Sequence, residues 1–169
     1  MVFKIIPLSV ILFASLLCCA CKKDDVLPAI TMEGKNTLGF RINGGIWKPH
    51  GYGGGSGIGT DMSVPNFLDI WGGNDNSTIH IVLWDTIAIA PKTYVLSNVR
   101  RYSASYTIFE SGNNDCQYDP ENLVNGKLVI SKLSSGIISG TFNFKMYNPD
   151  CTSDSLRVTD GRFDLMIGS

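Results

Sequence analysis

The 169-residue chain has few side chains suited to acid–base chemistry at neutral pH, since it contains only two histidines, His50 and His80. Neither lies in a known nucleophile motif, and no spacing of His, Cys and Asp resembles a zinc site. The sequence therefore predicts no catalytic residue, no metal site and no cofactor, and we expect a protein that is not an enzyme. The alternative is a hydrolase, which requires one histidine within hydrogen-bond reach of a carboxylate.

Charge and long apolar runs are scarce as well. Charged residues make up 17% of the chain, and its 14 basic and 15 acidic residues nearly cancel, so the composition predicts no nucleic-acid partner. A transmembrane helix needs about 20 consecutive apolar residues. The longest apolar run, residues 5–17, is shorter and contains Pro7 and Ser9, so the sequence predicts no permanent span.

That short apolar run is part of an N-terminal segment with the three parts of a secretory signal. Lys4 supplies a positive charge, residues 5–17 supply the apolar core, and small residues and cysteines follow. A buried helix of a folded domain would instead place polar residues at every third or fourth position. Residues 1–20 are therefore predicted to be a signal peptide.

Ala20-Cys21 resembles the cleavage point of a lipobox, in which small residues precede the cysteine that becomes a lipid anchor. Cys18 and Cys19 stand where leucine and alanine or serine are usual, which departs from the pattern. Cys19 is the rival anchor. The resemblance implies that the Cys21 thiol carries a diacylglycerol and that its new amino group is acylated, which would give stable membrane attachment.

A charged stretch follows this cysteine: Lys22, Lys23, Asp24 and Asp25. It resembles the lysine-then-acidic signal after the anchor of surface-exposed lipoproteins of Bacteroidetes, although a solvated linker would carry the same charges. The resemblance implies an outer-membrane anchor that faces outside the cell, with the periplasmic leaflet as the alternative. Residues 21–36 are then a lipidated cysteine and a flexible tether, and residues 37–169 are one folded domain.

Only two cysteines follow the predicted anchor, Cys116 and Cys151. In an exported domain, two such cysteines favour a single disulfide. Both lie in polar stretches rich in Asn and Asp, so their pairing would join two loops. Two separate free thiols are the alternative.

Short apolar runs separated by turn residues predict an all-β domain. Asn43-Gly44 between two such runs is a hairpin signal, and residues 137–147 alternate apolar and polar side chains with the period of a half-buried strand. The predicted strands are 38–42, 46–48, 66–71, 77–84, 92–96, 103–109, 126–132, 137–147, 156–159 and 162–167. Nine or ten strands at this spacing favour an antiparallel β-sandwich, with a lipocalin-like barrel as the alternative.

The aromatic residues give the only hint of a ligand. Most large aromatics fill cores, and we expect this of Trp47 and Tyr94. Trp71 and Trp84 are the candidate binding residues, because rings exposed on a β face can stack on sugars. The glycine-rich stretch 51–59 is predicted to be a loop.

Two motifs stand near the ends of the predicted domain. The first is Gly34-Lys35-Asn36-Thr37 followed by Asn43-Gly44 and Trp47, and the second is Thr159-Asp160-Gly161-Arg162-Phe163-Asp164. Together they resemble a family of small Bacteroidetes lipoproteins of unknown function, which implies an exported β domain of this size and no catalytic residues. Gly161 also predicts a bulge, and Arg162 and Asp164 are expected to form a surface ion pair.

The sequence as a whole predicts a lipid-anchored, surface-exposed β domain of the cell envelope with a binding or structural role. Its expected partners are the membrane, through the anchor, and a glycan or an envelope protein. A carrier of small ligands is an alternative that requires the strands to close around an apolar cavity. None of these features identifies the molecular function.

Overall fold

A computed structural model describes residues 26–50, 57–98, 101–110 and 115–168. The predicted signal peptide, the candidate anchors Cys21 and Cys19, and the charged stretch 22–25 lie outside the described residues. No helix within the described ranges is long and apolar enough to span a membrane. A 3-10 turn occurs at Pro120–Asn122.

Eleven strands form within the described ranges. In chain order they are β1 (Thr37–Ile42), β2 (Gly45–Trp47), β3 (Ile58–Asp61), β4 (Phe67–Asn74), β5 (Ser77–Trp84), β6 (Thr93–Leu96), β7 (Tyr102–Ile108), β8 (Cys116–Tyr118), β9 (Leu123–Ser134), β10 (Ile137–Tyr147) and β11 (Ser155–Met166). One sheet has the order β2-β1-β11-β10-β9-β6 and the other has the order β3-β4-β5-β7-β8, and all pairings are antiparallel.

The two sheets share one apolar core. Phe40 of the six-stranded sheet stacks on Trp47 at 4.5 Å between ring centroids, and it meets Tyr106 of the other sheet edge-on at 6.3 Å. Alternate residues of each strand point into this layer, as the sequence pattern predicts. The predicted sandwich is confirmed. The barrel alternative is wrong, because the strands form two separate sheets. The hypothesis of a small-ligand carrier required a closed barrel, so this fold does not support it.

Two strands occur where the sequence predicts loops. β3 begins at Ile58 inside the glycine-rich stretch, whose residues 51–56 lie outside the described ranges, and β8 lies in a polar stretch. Each is short and lies at an edge of the five-stranded sheet, so neighbouring strands determine it more than its own composition does. Conversely, the predicted strands 156–159 and 162–167 are one strand, β11, interrupted by a bulge.

The predicted bulge in β11 is confirmed. The register of β11 shifts against both of its neighbours around Asp160, which has a φ of 52°. Next to it, a Cβ on Gly161 would lie 2.5 Å from Cδ2 of Phe142. Glycine at this position therefore leaves room for the Phe142 ring to enter the core.

The two motifs near the chain ends meet around Asp164, which is only 1% exposed. Its carboxylate accepts hydrogen bonds from Thr31 Oγ1 at 2.5 Å and from the backbone N–H groups of Glu33 at 3.0 Å, Gly34 at 2.8 Å and Lys35 at 3.3 Å. Burial raises the pKa of Asp164, but these hydrogen bonds outweigh it and hold the pKa below its ordinary value.

The predicted ion pair between Arg162 and Asp164 is wrong, because Asp164 is covered by the segment that precedes β1. The Arg162 guanidinium instead donates to the backbone carbonyls of Pro28 at 3.2 Å and Asp160 at 3.1 Å. The described part of the predicted tether, residues 26–36, is thus hydrogen-bonded along the outer face of the six-stranded sheet.

The predicted disulfide between Cys116 and Cys151 is confirmed. It joins the edge strand β8 to the loop between β10 and β11, and both half-cystines are buried. Hydrogen bonds reinforce this junction, since Asn148 Nδ2 donates to the Gln117 carbonyl at 2.7 Å and the Tyr118 hydroxyl donates to the Ser153 carbonyl. The disulfide therefore connects the two sheets at one end of the sandwich.

Candidate functional site

The outer face of the five-stranded sheet carries both of the candidate binding tryptophans. Ile70 and Gly72 of β4 point into the core, so Trp71 between them points outward. Trp84 is the last of the outward-pointing residues of β5. We call this surface the tryptophan face, and its members from β4 and β5 are Phe67, Asp69, Trp71, Thr78, His80, Val82 and Trp84.

The Trp71 indole covers a glycine of the neighbouring strand. The residue that faces Trp71 on the neighbouring strand β3 is Gly59. The indole atoms Cε2 and Nε1 lie 2.5 and 2.7 Å from the position that a Cβ of Gly59 would occupy. Since three ring atoms are this close, the indole covers the glycine, and Gly59 is buried. The Trp71 side chain is on the outer side of the sheet and is only half-buried.

A groove with a volume of about 620 Å³ begins at this indole. Trp71 and Phe109 provide apolar surface there, and Thr78 and Asn74 provide polar atoms. At the rim, His50 Nε2 and Asp75 Oδ2 are 2.8 Å apart and both side chains are more than half exposed. Aromatic walls with a few polar groups are typical of small-ligand sites.

The second histidine lies beside Trp71 on the same face. His80 of β5 is the direct cross-strand neighbour of Trp71, and its Nδ1 lies 3.1 Å from Asp69 Oδ2. The hydrogen bond to Asp69 raises the pKa of His80, and partial burial opposes that shift. The pair places a donor and an acceptor next to the half-buried Trp71 indole.

Each histidine is thus paired with a carboxylate, which is the condition that the hydrolase alternative set. Such a pair also needs a nucleophile. No serine, threonine or cysteine of the described residues is hydrogen-bonded to His50 or His80, although Ser105 lies directly across from His80. The arrangement therefore offers ligand-binding groups and no assembled catalytic triad in this part of the chain.

Trp84 lies at the far end of the tryptophan face. It is 58% exposed and contacts Phe67 edge-on, with 5.4 Å between ring centroids. Trp71 pairs with His80, four residues before Trp84, so the two indoles are separated by roughly 13 Å along the strand. By contrast, Trp47 and Tyr94 are buried, as predicted for core aromatics.

The described residues contain no group of three or more His, Cys, Asp or Glu side chains that could hold a metal ion. Asp85 is buried, and its hydrogen bonds to Tyr102 and to the Thr86 backbone lower its pKa to about 2, with Lys92 Nζ at 3.6 Å. It stabilises the packing beside β6 and is not part of the tryptophan face.

Residues 57–165 match a protein family described as a domain of unknown function, DUF6252. The chain belongs to the DUF6252 family. The DUF6252 match runs from the start of β3 to the end of β11 and includes the whole tryptophan face, whereas β1 and β2 precede it. No curated protein and no solved structure matches the chain.

Two residues of the candidate site, Gly59 and Phe109, have no signal in the sequence. Gly59 matters because it lies opposite Trp71, and Phe109 because β7 ends beside the turn between β4 and β5. Both relations depend on which strands pair, and a single sequence does not contain that information. Gly59 belongs to the glycine-rich stretch 51–59, which gives no sign that this one residue faces an indole.

Proposed function

We propose that this chain is a lipid-anchored binding module of the cell envelope that captures glycans on the tryptophan face. The observation that carries the proposal is the half-buried indole of Trp71, which covers Gly59 on the outer face of the sheet and lines the groove. The apolar C–H face of a pyranose ring stacks on such a platform, because a flat aromatic surface can be desolvated by a flat partner.

Polar groups around Trp71 support a sugar ligand over a purely apolar one. The Asp69–His80 pair and Asn74 offer acceptors and donors at the edge of the indole, where sugar hydroxyls would lie. Trp84, roughly 13 Å along the strand, extends the surface, so an oligosaccharide fits it better than a single sugar does. A surface-exposed anchor would place this face within reach of extracellular polysaccharides.

Replacement of Trp71 by alanine tests the proposal. Gel electrophoresis of the protein through gels that contain soluble xylan, mannan, α-glucan or β-glucan measures retardation by each polysaccharide. We expect at least one polysaccharide to retard the wild type and Trp71→Ala to weaken that binding about ten-fold or more, because a central aromatic contact contributes about 2 kcal/mol.

The control for this experiment is Tyr147→Ala, which removes an exposed aromatic from β10 of the other sheet. Retardation by the same gels should be unchanged in that variant, and Trp84→Ala should cause a smaller loss than Trp71→Ala. Equal losses in Trp71→Ala and Tyr147→Ala, or a wild type that no gel retards, would contradict glycan capture on this face.

The lipid anchor is tested by replacing the predicted acylation site. In cells that process lipoproteins, Cys21→Ser should move the protein from membranes washed with 0.5 M salt to the soluble fraction, because the acyl chains are the only attachment expected to survive that salt. The matched variant Cys19→Ser should stay in the membrane fraction. The opposite distribution would assign the anchor to Cys19, and membrane retention of both variants would refute a single acylated cysteine.

A further inference from the structure

The basic residues of the strands are segregated by sheet. The strands of the six-stranded sheet contain six basic residues and two acidic ones, whereas those of the five-stranded sheet contain no basic residue and two acidic ones. We call the outer side of the six-stranded sheet the basic face, and its cations are Arg41, Lys127, Lys132, Lys145, Arg157 and Arg162. The nearly equal numbers of basic and acidic residues in the whole chain give no sign of this unequal distribution between the sheets.

Two of these cations lie directly opposite each other. Lys145 of β10 pairs in register with Arg157 of β11, and both side chains are exposed. Like charges at such a cross-strand position repel. Neither forms an ion pair with a carboxylate anywhere in the described ranges. The site therefore favours an anion supplied from outside the domain.

The same side of the molecule also exposes apolar residues. Val95 of β6 is 69% exposed and lies across from Lys127, while Tyr147 ends β10 two residues after Lys145. The segment that crosses this face adds Val26 and Ile30, which are both about two-thirds exposed. Cations beside exposed aliphatic and tyrosine side chains match the chemistry of a membrane interface.

The path of the chain brings a membrane to this face. Pro28 lies over Gly39 of β1, where a Cβ would be 2.6 Å from its ring, and its carbonyl accepts a hydrogen bond from Arg162. Cys21 precedes Val26 by five residues, which reach at most about 18 Å. With the lipid anchor proposed above, the end of the basic face beside Pro28 and Arg162 lies near the headgroups, because Val26 is at most that distance from the anchor.

We propose that the basic face docks on the anionic lipid headgroups of the membrane that holds the anchor. Lys145, Arg157 and Lys127 contact headgroup phosphates, while Val26 and Tyr147 enter the interfacial layer. Because the two sheets of the sandwich lie back to back, this orientation directs the tryptophan face away from the membrane. The inference rests on the proposed anchor, which places the basic face beside the membrane. Binding of the basic face to anionic headgroups can be tested without the acyl chains.

The test uses the mature chain from residue 21 with Cys21→Ser, so that no acyl chain contributes to binding. Sedimentation with vesicles of phosphatidylcholine and phosphatidylglycerol in a 7:3 ratio, compared with pure phosphatidylcholine, measures the electrostatic contribution. We expect clear preference for the anionic vesicles and loss of binding in 0.5 M salt. Each cation near such a surface strengthens binding about five-fold, so the double variant Lys145→Gln, Arg157→Gln should bind more than ten-fold more weakly.

The matched control is Lys92→Gln, Arg101→Gln, which removes the same charge outside the basic face. It should keep wild-type partitioning, and equal losses in both double variants would overturn the proposal. So would equal binding to neutral and anionic vesicles, or inhibition by soluble polyphosphate at the same phosphate concentration as the vesicles, since that result would indicate a soluble polyanion ligand.

Fluorescence provides a second measurement that reports orientation. Tyr147→Trp adds an indole to the basic face, and its emission should fall on vesicles with brominated acyl chains. Emission of the parent protein, which comes from Trp47, Trp71 and Trp84, should change little, because none of these lies on the docked side. Quenching of the parent without added quenching in the variant would reverse the orientation. Retardation by polysaccharide gels is independent of these results, so the two proposals can fail separately.

Discussion

Asp164→Ala should lower the free energy of unfolding by about 3 kcal/mol, as measured by urea denaturation. The buried carboxylate accepts four hydrogen bonds from the segment 31–35, and three of the donors are backbone amides. Alanine would leave those amides without acceptors and would free the segment from β11. Hydrogen exchange at Gly34 and Lys35 should therefore accelerate more than exchange in β10.

The same carboxylate predicts a pH dependence. Because the folded-state pKa of Asp164 is below its ordinary value, the ionised carboxylate stabilises the fold at pH values above the unfolded-state pKa. This contribution is lost as the pH falls from the unfolded pKa through the folded pKa. Asp164→Asn should show a weaker loss of stability between pH 5 and pH 2, because its side chain does not titrate.

Asp160→Asn is the matched control on the same strand. Asp160 pairs with Arg41 at 3.4 Å, but both side chains are largely exposed, so the pair contributes at most about 1 kcal/mol. Asparagine also tolerates the positive φ at this position. If Asp160→Asn destabilised the protein as much as Asp164→Ala, the special role of the buried carboxylate would be refuted.

Removal of the disulfide should have an effect of similar size. Cys116 and Cys151 are 35 residues apart, and in the chain-entropy model a cross-link of that length stabilises the fold by about 3–4 kcal/mol. The double variant Cys116→Ser, Cys151→Ser should therefore melt roughly 10 °C below the wild type. Differential scanning calorimetry measures this shift.

The reductant dependence of the wild type serves as the control. Both half-cystines are buried, so reductant should act only after unfolding, and refolded, reduced wild type should melt close to the double variant. The double variant itself should not respond to reductant. A wild type that melts with the double variant under oxidising conditions would show that the cross-link does not stabilise the domain.

The fold follows from the sequence wherever a strand carries its own pattern. In β10, Phe142, Phe144 and Met146 alternate with outward residues, and the structure buries all three. β3 and β8 were not predictable in this way, because three or four residues contain too little periodicity. Their positions depend on β4 and β7, with which they pair.

The candidate site was predictable in part. Trp71 and Trp84 could be selected from the sequence, but their exposure and shared face depend on the pairing of β4 with β5. The burial of Asp164, by contrast, could not be predicted from the sequence. Its alternation with Phe163 predicts a solvent-facing residue, and it is buried only because a segment 130 positions earlier folds over it. Sequence periodicity describes a strand against its sheet and does not reveal what covers the outer side.

The pairing of β1 with β11 also determines when the domain can fold. The first strand has β2 on one side and the last strand on the other, so the centre of the six-stranded sheet is incomplete until the chain end is available. Contacts between such distant segments form slowly. A nascent chain would therefore stay unfolded until β11 has left the ribosome, and the order of the strands alone would postpone folding until that strand has been synthesised.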